Sequence, residues 1–496
     1  MSIIDLCCVC SSIESFKTMS LCQYSIVFAL LFVGAFGYGD NELFLPLTTL
    51  QKMHHKHNEP SCSSQKSRSE NGAIILEMKH KDYCFRSRGD LNKRLQKRLL
   101  ADDIRVRSIQ SNIKKISSKQ VEALSQTTTT TTTTQIPISS GVTMQTLNYI
   151  VTVTLGGRNM TVIVDTGSDL TWVQCQPCGL CYNQPEPLFN PSISPSFQTV
   201  ACNSSACLSL ESATGNSGLC GTNSQTCDYL VSYGDGSYTK GELGQDHLVL
   251  GRTLVDNFVF GCGRNNRGLF GLASGLMGLG RSDLSLISQT SDVFGGVFSY
   301  CLPSTEAESS GSLIFGGDPS VFKNSTPISY TKMVPNPQLF SFYFLNLTGM
   351  TIGGVSVQDS SFGKSGFLID SGTVITRLPP SIYKAVKAEF LKQFSGYPSV
   401  PGYSILDTCF DLSSYEEVNI PTIKVHFEGD AQMEVDVAGV FYFVKNDASQ
   451  VCLALASLQY EGEIGIIGNF QQRNTRVIYD TKQSQVGFAK ETCSFM

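Results

Sequence analysis

Beyond residue 141, short runs rich in Val, Ile, Phe, Tyr and Thr alternate with Gly, Pro, Asn and Ser, as in YIVTVTLGG, MTVIVDTG, YLVSYGDGS and FYFLNLTGM. Runs of this length, bounded by turn formers, predict β-strands joined by tight turns. One helix is predicted over Pro380–Phe394, where Pro380 opens the segment and apolar side chains share a face. A shorter one is predicted over Ser285–Ser291. Ahead of this body the pattern changes. Leu21 to Gly37 is a continuous, mainly apolar run of 17 residues, and residues 40–75 read as polar and irregular. Leu91, Leu95, Leu99 and Ile109, Ile113, Ile116 recur at helical spacing, predicting amphipathic helices. Eight threonines, Thr127 to Thr134, then form a low-complexity linker.

Composition sharpens the division. A chain of 496 residues with 41% hydrophobic and 16% charged residues exceeds one core and suggests two or three folding units. Residues 1–140 carry 18 Lys and Arg against 12 acids, and the remainder 19 against 30, so a basic front precedes an acidic body. The formal net charge of −5 argues against a nucleic-acid partner, which would need a basic face. Of six histidines only His247 and His426 lie in the body, leaving little material for a His-rich metal site or a Ser-His-Asp triad. Carboxylate chemistry is favoured.

The apolar run is short for a membrane span and fits a signal peptide over residues 1–39, with small residues near Gly37–Gly39 for cleavage. Met19 is an alternative start, and an uncleaved anchor is the competing reading. The expected address is secreted: cell wall or apoplast, with a vacuole as the alternative. No stable span is expected after cleavage. Twelve cysteines lie in the body, an even number that reads as six disulfides in an exported protein. Cys175, Cys178 and Cys181 also have metal-like spacing, but no companion His/Cys pair completes a finger, so no metal is expected. Sequons at Asn159, Asn203, Asn324 and Asn346 are candidate glycosylation sites.

One internal repeat carries chemistry. Val162-Ile163-Val164-Asp165-Thr166-Gly167-Ser168 is echoed by Phe367-Leu368-Ile369-Asp370-Ser371-Gly372-Thr373. About a hundred residues after each come two apolar residues and a glycine, Leu276-Met277-Gly278 and Ile466-Ile467-Gly468. Motifs duplicated in the same order imply two similar β lobes, each presenting one Asp on a tight turn beside hydroxyl donors. One Asp-Thr-Gly turn is weak evidence; two, with matching downstream elements, are strong.

With these motifs the chain resembles the pepsin-like aspartic proteases, and more closely their nepenthesin-like plant branch, over about residues 145–496. The resemblance implies a mainly β, bilobal fold with the active-site cleft between the lobes. It implies Asp165 and Asp370 as the catalytic pair, with Thr166, Gly167, Ser168, Ser371, Gly372 and Thr373 orienting them. It implies Tyr233, within Tyr233-Gly234-Asp235-Gly236, as the tyrosine of a flap closing over substrate, and Trp172 as the tryptophan behind it. An ordinary strand aromatic and a core residue are the competing readings of these two. Cys409 and Cys452 match the family's C-terminal-lobe disulfide, and the cysteines at 202–227 match the branch's Cys-rich insertion. Ser371 stands where many relatives carry Thr, which keeps the hydroxyl.

The implied activity is endopeptidase cleavage of proteins or peptides in acid, by a monomer that needs no cofactor. Residues 40–140 are expected to be a prosegment acting as an intramolecular inhibitor: residues 77–120 hold 13 basic against 5 acidic side chains, suited to an acidic body. The lobes are expected at 141–335 and 336–496. The rivals are an inhibitory protein on the same fold, like the xylanase-inhibitor relatives of this branch, and a disulfide-rich recognition protein. The first lacks intact catalytic elements in its usual form; the second leaves the repeat unexplained.

Overall fold

The computed structural model describes residues 42–52, 66–80, 91–123, 149–220, 225–233, 236–268, 270–303, 310–317, 321, 326–336, 339–364 and 366–493. The expected signal peptide, the threonine tract, Gly234, Asp235 and Asn324 lie outside them. Leu43–Met496 forms one compact unit, which holds every element named below.

Local chemistry sets the strands. Tyr149–Leu155 and Arg158–Asp165 pair antiparallel around Gly156-Gly157, both at positive φ, the conformation a two-residue hairpin demands. The same turn, Gly353-Gly354, joins Phe344–Ile352 to Val355–Val357 in the second half. Among the described residues, sheets of 16 and eight strands carry most of the body, with a four-stranded sheet at the Cys409–Cys452 disulfide. The last hairpin, Thr475–Asp480 with Gln485–Lys490, returns to the large sheet beside Val297–Cys301.

Pro380–Gln393 is the predicted helix. Pro380 sits in its first turn, and Ile382, Tyr383, Val386 and Phe390 are buried, each stabilising the packing by roughly 1.5–3 kcal/mol. The short helix expected over Ser285–Ser291 is two consecutive turns, Leu286–Gln289 and Ser291–Phe294, the first capped by the Ser285 hydroxyl. All twelve body cysteines are paired: Cys175–Cys262, Cys178–Cys181, Cys202–Cys220, Cys207–Cys227, Cys301–Cys493 and Cys409–Cys452.

The basic front departs from expectation. Within the stretch read as irregular, Ser67–Glu70 and Ala73–His80 form a hairpin about Asn71-Gly72, both residues at positive φ. Ala73–His80 is buried throughout and inserted between Gly311–Phe315 and Tyr149–Leu155. The physical reason is the run Ala73-Ile74-Ile75-Leu76 after an Asn-Gly turn, which pairs as a central strand although its partner lies far along the chain.

The helical stretch is one helix, Leu91–Ala123, of 33 residues and so about 50 Å long. Leu95 and Leu99 pack with Val374, Ile375 and Leu406, and Val106 packs with Leu339, Phe344 and Leu458. Gln110 donates to the Ile464 carbonyl at 2.6 Å and accepts from its N–H at 3.0 Å. The helix therefore lies along the second half of the body. No helix among the described residues is long and apolar enough to cross a membrane.

Candidate active site

Asp165 ends Arg158–Asp165 and Asp370 follows Gly366–Ile369. Each of these strands is flanked by a parallel partner from its downstream motif: Gly278 registers with Asp165, and Ile467 with Ile369. The Asp165 carbonyl accepts from Leu279 N–H at 2.9 Å, and Asp370 N–H donates to the Ile467 carbonyl at 3.1 Å. The apolar-apolar-Gly elements thus hold each loop from beneath. A Cβ on Gly278 or Gly468 would overlap the carbonyl of Asp169 or Val374, so close backbone approach requires glycine at both places.

The two loops are matched donor for donor. Gly167 N–H reaches Asp165 Oδ1 at 3.1 Å and Ser168 Oγ donates to Oδ2 at 2.7 Å. Gly372 N–H reaches Asp370 Oδ1 at 2.8 Å and Thr373 Oγ1 donates to Oδ2 at 2.6 Å. Ser371 N–H donates to Thr166 Oγ1 at 2.9 Å, tying one loop to the other. The loops also interlock sterically. A Cβ on Gly167 would stand 2.8 Å from Asp370 Oδ1, and one on Gly372 would overlap Asp165 Oδ1. The carboxyls are 1% and 0% exposed, side by side across the loops.

Between them lies Arg105 of the long helix. Its Nη2 is 2.8 Å from Asp165 Oδ1 and 3.0 Å from Asp370 Oδ2, and its Nε donates to Asp370 Oδ2 at 3.2 Å. Burial disfavours the guanidinium charge, but the two carboxylates outweigh it and raise the Arg105 pKa further above its ordinary value. One turn earlier, Asp102 Oδ1 accepts from Val374 N–H at 2.6 Å, while Oδ2 accepts from Arg377 Nη2 at 2.9 Å. Burial pushes the Asp102 carboxyl up, against the pull of Arg377 and the two backbone donors of Val374 and Ile375.

Trp172 and Tyr233 meet above the loops. The Trp172 Nε1–H donates to Tyr233 Oη at 2.7 Å, and Phe270 packs edge-on against both rings. Tyr233 closes the tip of the hairpin Cys227–Ser232 and Tyr238–Leu250 by donating its N–H to Ser237 O at 2.8 Å. Burial, with the Asp165 charge nearby, pushes its hydroxyl well above its usual pKa. Gly236 has the left-handed φ of 80° at this tip. Asn159 and Asn203 are exposed, whereas Asn346 is half-buried and donates to Glu428 at 3.0 Å.

Arg105, Asp102, Asp169 and Arg377 are residues that motif and spacing do not single out. A signal exists for the first two: Arg98, Asp102 and Arg105 fall on the stripe that includes Leu95, Leu99 and Val106. Charges on an apolar stripe mark a helix that packs against partners of its own.

Residues 149–317 match the family model described as xylanase inhibitor N-terminal, and residues 342–490 the one described as xylanase inhibitor C-terminal. The chain is 44% identical over 403 residues to an aspartyl protease family protein of Arabidopsis thaliana, covering 80% of this chain and 82% of that one. It is 37% identical over 358 residues to the aspartic proteinase nepenthesin-1 of Nepenthes gracilis, covering 70% and 78%. Among solved structures, soybean basic 7S globulin superposes with a TM-score of 0.54 at 22% identity, covering 70% of this chain and 95% of that one, a likeness of fold alone.

Proposed function

The chain belongs to the plant pepsin-like aspartic proteases and is an aspartic-type endopeptidase, and from that premise we propose that it is exported as a zymogen whose Asp165 and Asp370 cleave peptide bonds in acid. In this reading residues 1–39 are the signal peptide, 40–140 the prosegment, and 141–335 and 336–496 the two lobes. The observation that carries it is Arg105, seated between both carboxyls on two loops that match donor for donor.

The chemistry follows from two carboxyls on interlocked loops. With one carboxyl protonated and the other ionised, the pair supplies an acid and a base at the same place. The ionised member takes a proton from a water, which attacks the scissile carbonyl; the protonated member donates to the carbonyl oxygen as charge develops there. Ser168 and Thr373 hold Oδ2 of each carboxyl and the Gly167 and Gly372 N–H groups hold Oδ1, which fixes both carboxyl planes for water and substrate. Tyr233, fixed by Trp172, closes the flap over the peptide.

In the zymogen Arg105 occupies the water's place and neutralises both carboxylates. Acid protonates the acidic side chains of the body while the prosegment's Lys and Arg stay charged, so the charge attraction between the two is lost from the body's side. Cleavage follows between about Thr127 and Leu147, in the linker ahead of the first body strand. The family models are described as inhibitors. What favours the enzyme is that both Asp-hydroxyl-Gly-hydroxyl elements are complete.

The test is to acidify the purified full chain, sequence the new N-terminus, and assay the processed protein with a synthetic 77–120 peptide. Inhibition at low salt near neutral pH, weakened by Arg105→Gln in the peptide, is expected. A product that still begins near residue 40, or a peptide without effect, would remove the lock.

A further inference from the structure

Asp102 occupies a carboxylate-shaped fork whose other members all belong to the body. Val374 N–H donates to Oδ1 at 2.6 Å, Ile375 N–H to Oδ2 at 3.2 Å, and Arg377 Nη2 to Oδ2 at 2.9 Å. Arg377 is itself fixed by donating Nη1 to the Ile375 carbonyl at 2.9 Å. Both side chains are essentially buried, 1% exposed for Asp102 and 1% for Arg377. Val374 directly follows Thr373, which holds Asp370, so the fork adjoins the loop of the candidate pair.

This inference rests on the proposed release of the prosegment. When residues 91–123 leave, Arg377 loses its carboxylate; among the described residues Asp102 is its ion-pair partner. Two aligned N–H groups lose their acceptor at the same moment. Release leaves the guanidinium, still tied to the Ile375 carbonyl, and the two N–H groups facing the vacated site, and a carboxylate supplied by a bound peptide restores all three bonds. A planar guanidinium beside two backbone donors suits that group in particular.

We propose that in the processed enzyme Arg377, with the Val374 and Ile375 N–H groups, forms a subsite that selects substrates carrying an Asp or Glu side chain near the scissile bond. Asp102 then mimics a substrate side chain as Arg105 blocks the centre. Asp102 precedes Arg105 by three positions, a helical rise of roughly 4.5 Å, against about 3.3 Å per residue for an extended peptide. The acidic residue therefore falls one or two positions from the scissile bond.

The experiment uses processed wild-type enzyme and peptides blocked at both ends, so that side chains supply the sole carboxylates. Glu and Gln are compared at each position flanking the scissile bond at about pH 5, where peptide carboxyls are largely ionised. One position is expected to favour Glu by about tenfold in kcat/KM, the size of a charge-assisted bond. Arg377→Met should bring that ratio to about one. Should the variant fail to fold, the 77–120 peptide bearing Asp102→Asn should inhibit wild-type enzyme about tenfold less well than the native peptide. Cleavage of Gln peptides with equal rates for Glu at every position overturns the subsite and leaves the protease reading standing. An enzyme that cleaves no peptide and no denatured protein removes both.

Discussion

Thr166 and Ser371 hold each other across the two halves of the molecule: Ser371 N–H donates to Thr166 Oγ1 at 2.9 Å, and Thr166 N–H donates to Ser371 Oγ at 3.1 Å. These reciprocal bonds join the two loops that carry the carboxyls, so they set the spacing on which a shared proton depends. Ser371→Ala keeps its own N–H donation and forfeits the return bond. The expected result is a ten- to hundredfold fall in kcat with a smaller change in KM, since the loss is one of alignment. Wild-type kcat in the processed variant would show that the bond does not set the geometry.

Tyr233→Phe removes the acceptor of the Trp172 indole N–H, which has no solvent exposure. An unpaired buried donor costs about 1–3 kcal/mol, and the flap loses its anchor to the site wall. A fall in kcat/KM of about tenfold or more is expected. Unchanged kinetics would return Tyr233 to the status of an ordinary strand aromatic.

Asp169 makes stability depend on acidity. Its carboxyl accepts from Ser282 N–H at 2.9 Å and from the Ser341 hydroxyl. Burial outweighs these bonds and, with the Asp165 charge adding to it, pushes the group up to about 6. A carboxyl whose folded pKa exceeds its unfolded value near 3.8 contributes stability that is complete below pH 4 and lost as pH rises through 6. The shift corresponds to about 3 kcal/mol. Melting of processed wild-type and Asp169→Asn proteins between pH 4 and 7 should therefore diverge, the wild type losing more stability on the way to neutrality. Parallel curves would contradict the assignment.

The features readable from sequence are local ones. Asp165 and Asp370 stand where an apolar strand meets a Gly turn, and the donors that hold them are two and three residues away. The helix opening at Pro380 and its apolar face are readable for the same reason. The partners of Cys175, Cys178 and Cys181 are not, because an even count does not choose among connectivities. Ala73–His80 carries a local hairpin signal, the Asn71-Gly72 turn before an apolar run, but its partner Gly311–Phe315 lies more than two hundred residues away, so its place inside the large sheet is not readable. Arg105 is hidden by the same route. Basic side chains on a helix are expected in solvent; Arg105 lies on the apolar stripe and Arg107, which pairs with Asp103 on the surface, lies off it, but that placement does not name Asp165 and Asp370 as the partners of Arg105.

If Asp165 and Asp370 together hydrolyse peptide bonds, neither can be spared. The direct test is the turnover of a denatured protein by processed enzyme across the acidic range, with Asp165→Asn and Asp370→Asn variants processed in trans and checked for an intact fold. Wild-type cleavage is expected to peak in acid, fade towards neutrality and be blocked by pepstatin. Each variant should lose at least about a thousandfold in kcat, since neither carboxyl can serve as base and acid alone. A folded Asp370→Asn variant retaining most of its turnover, or a wild-type maximum above pH 7, would contradict the shared role of the pair.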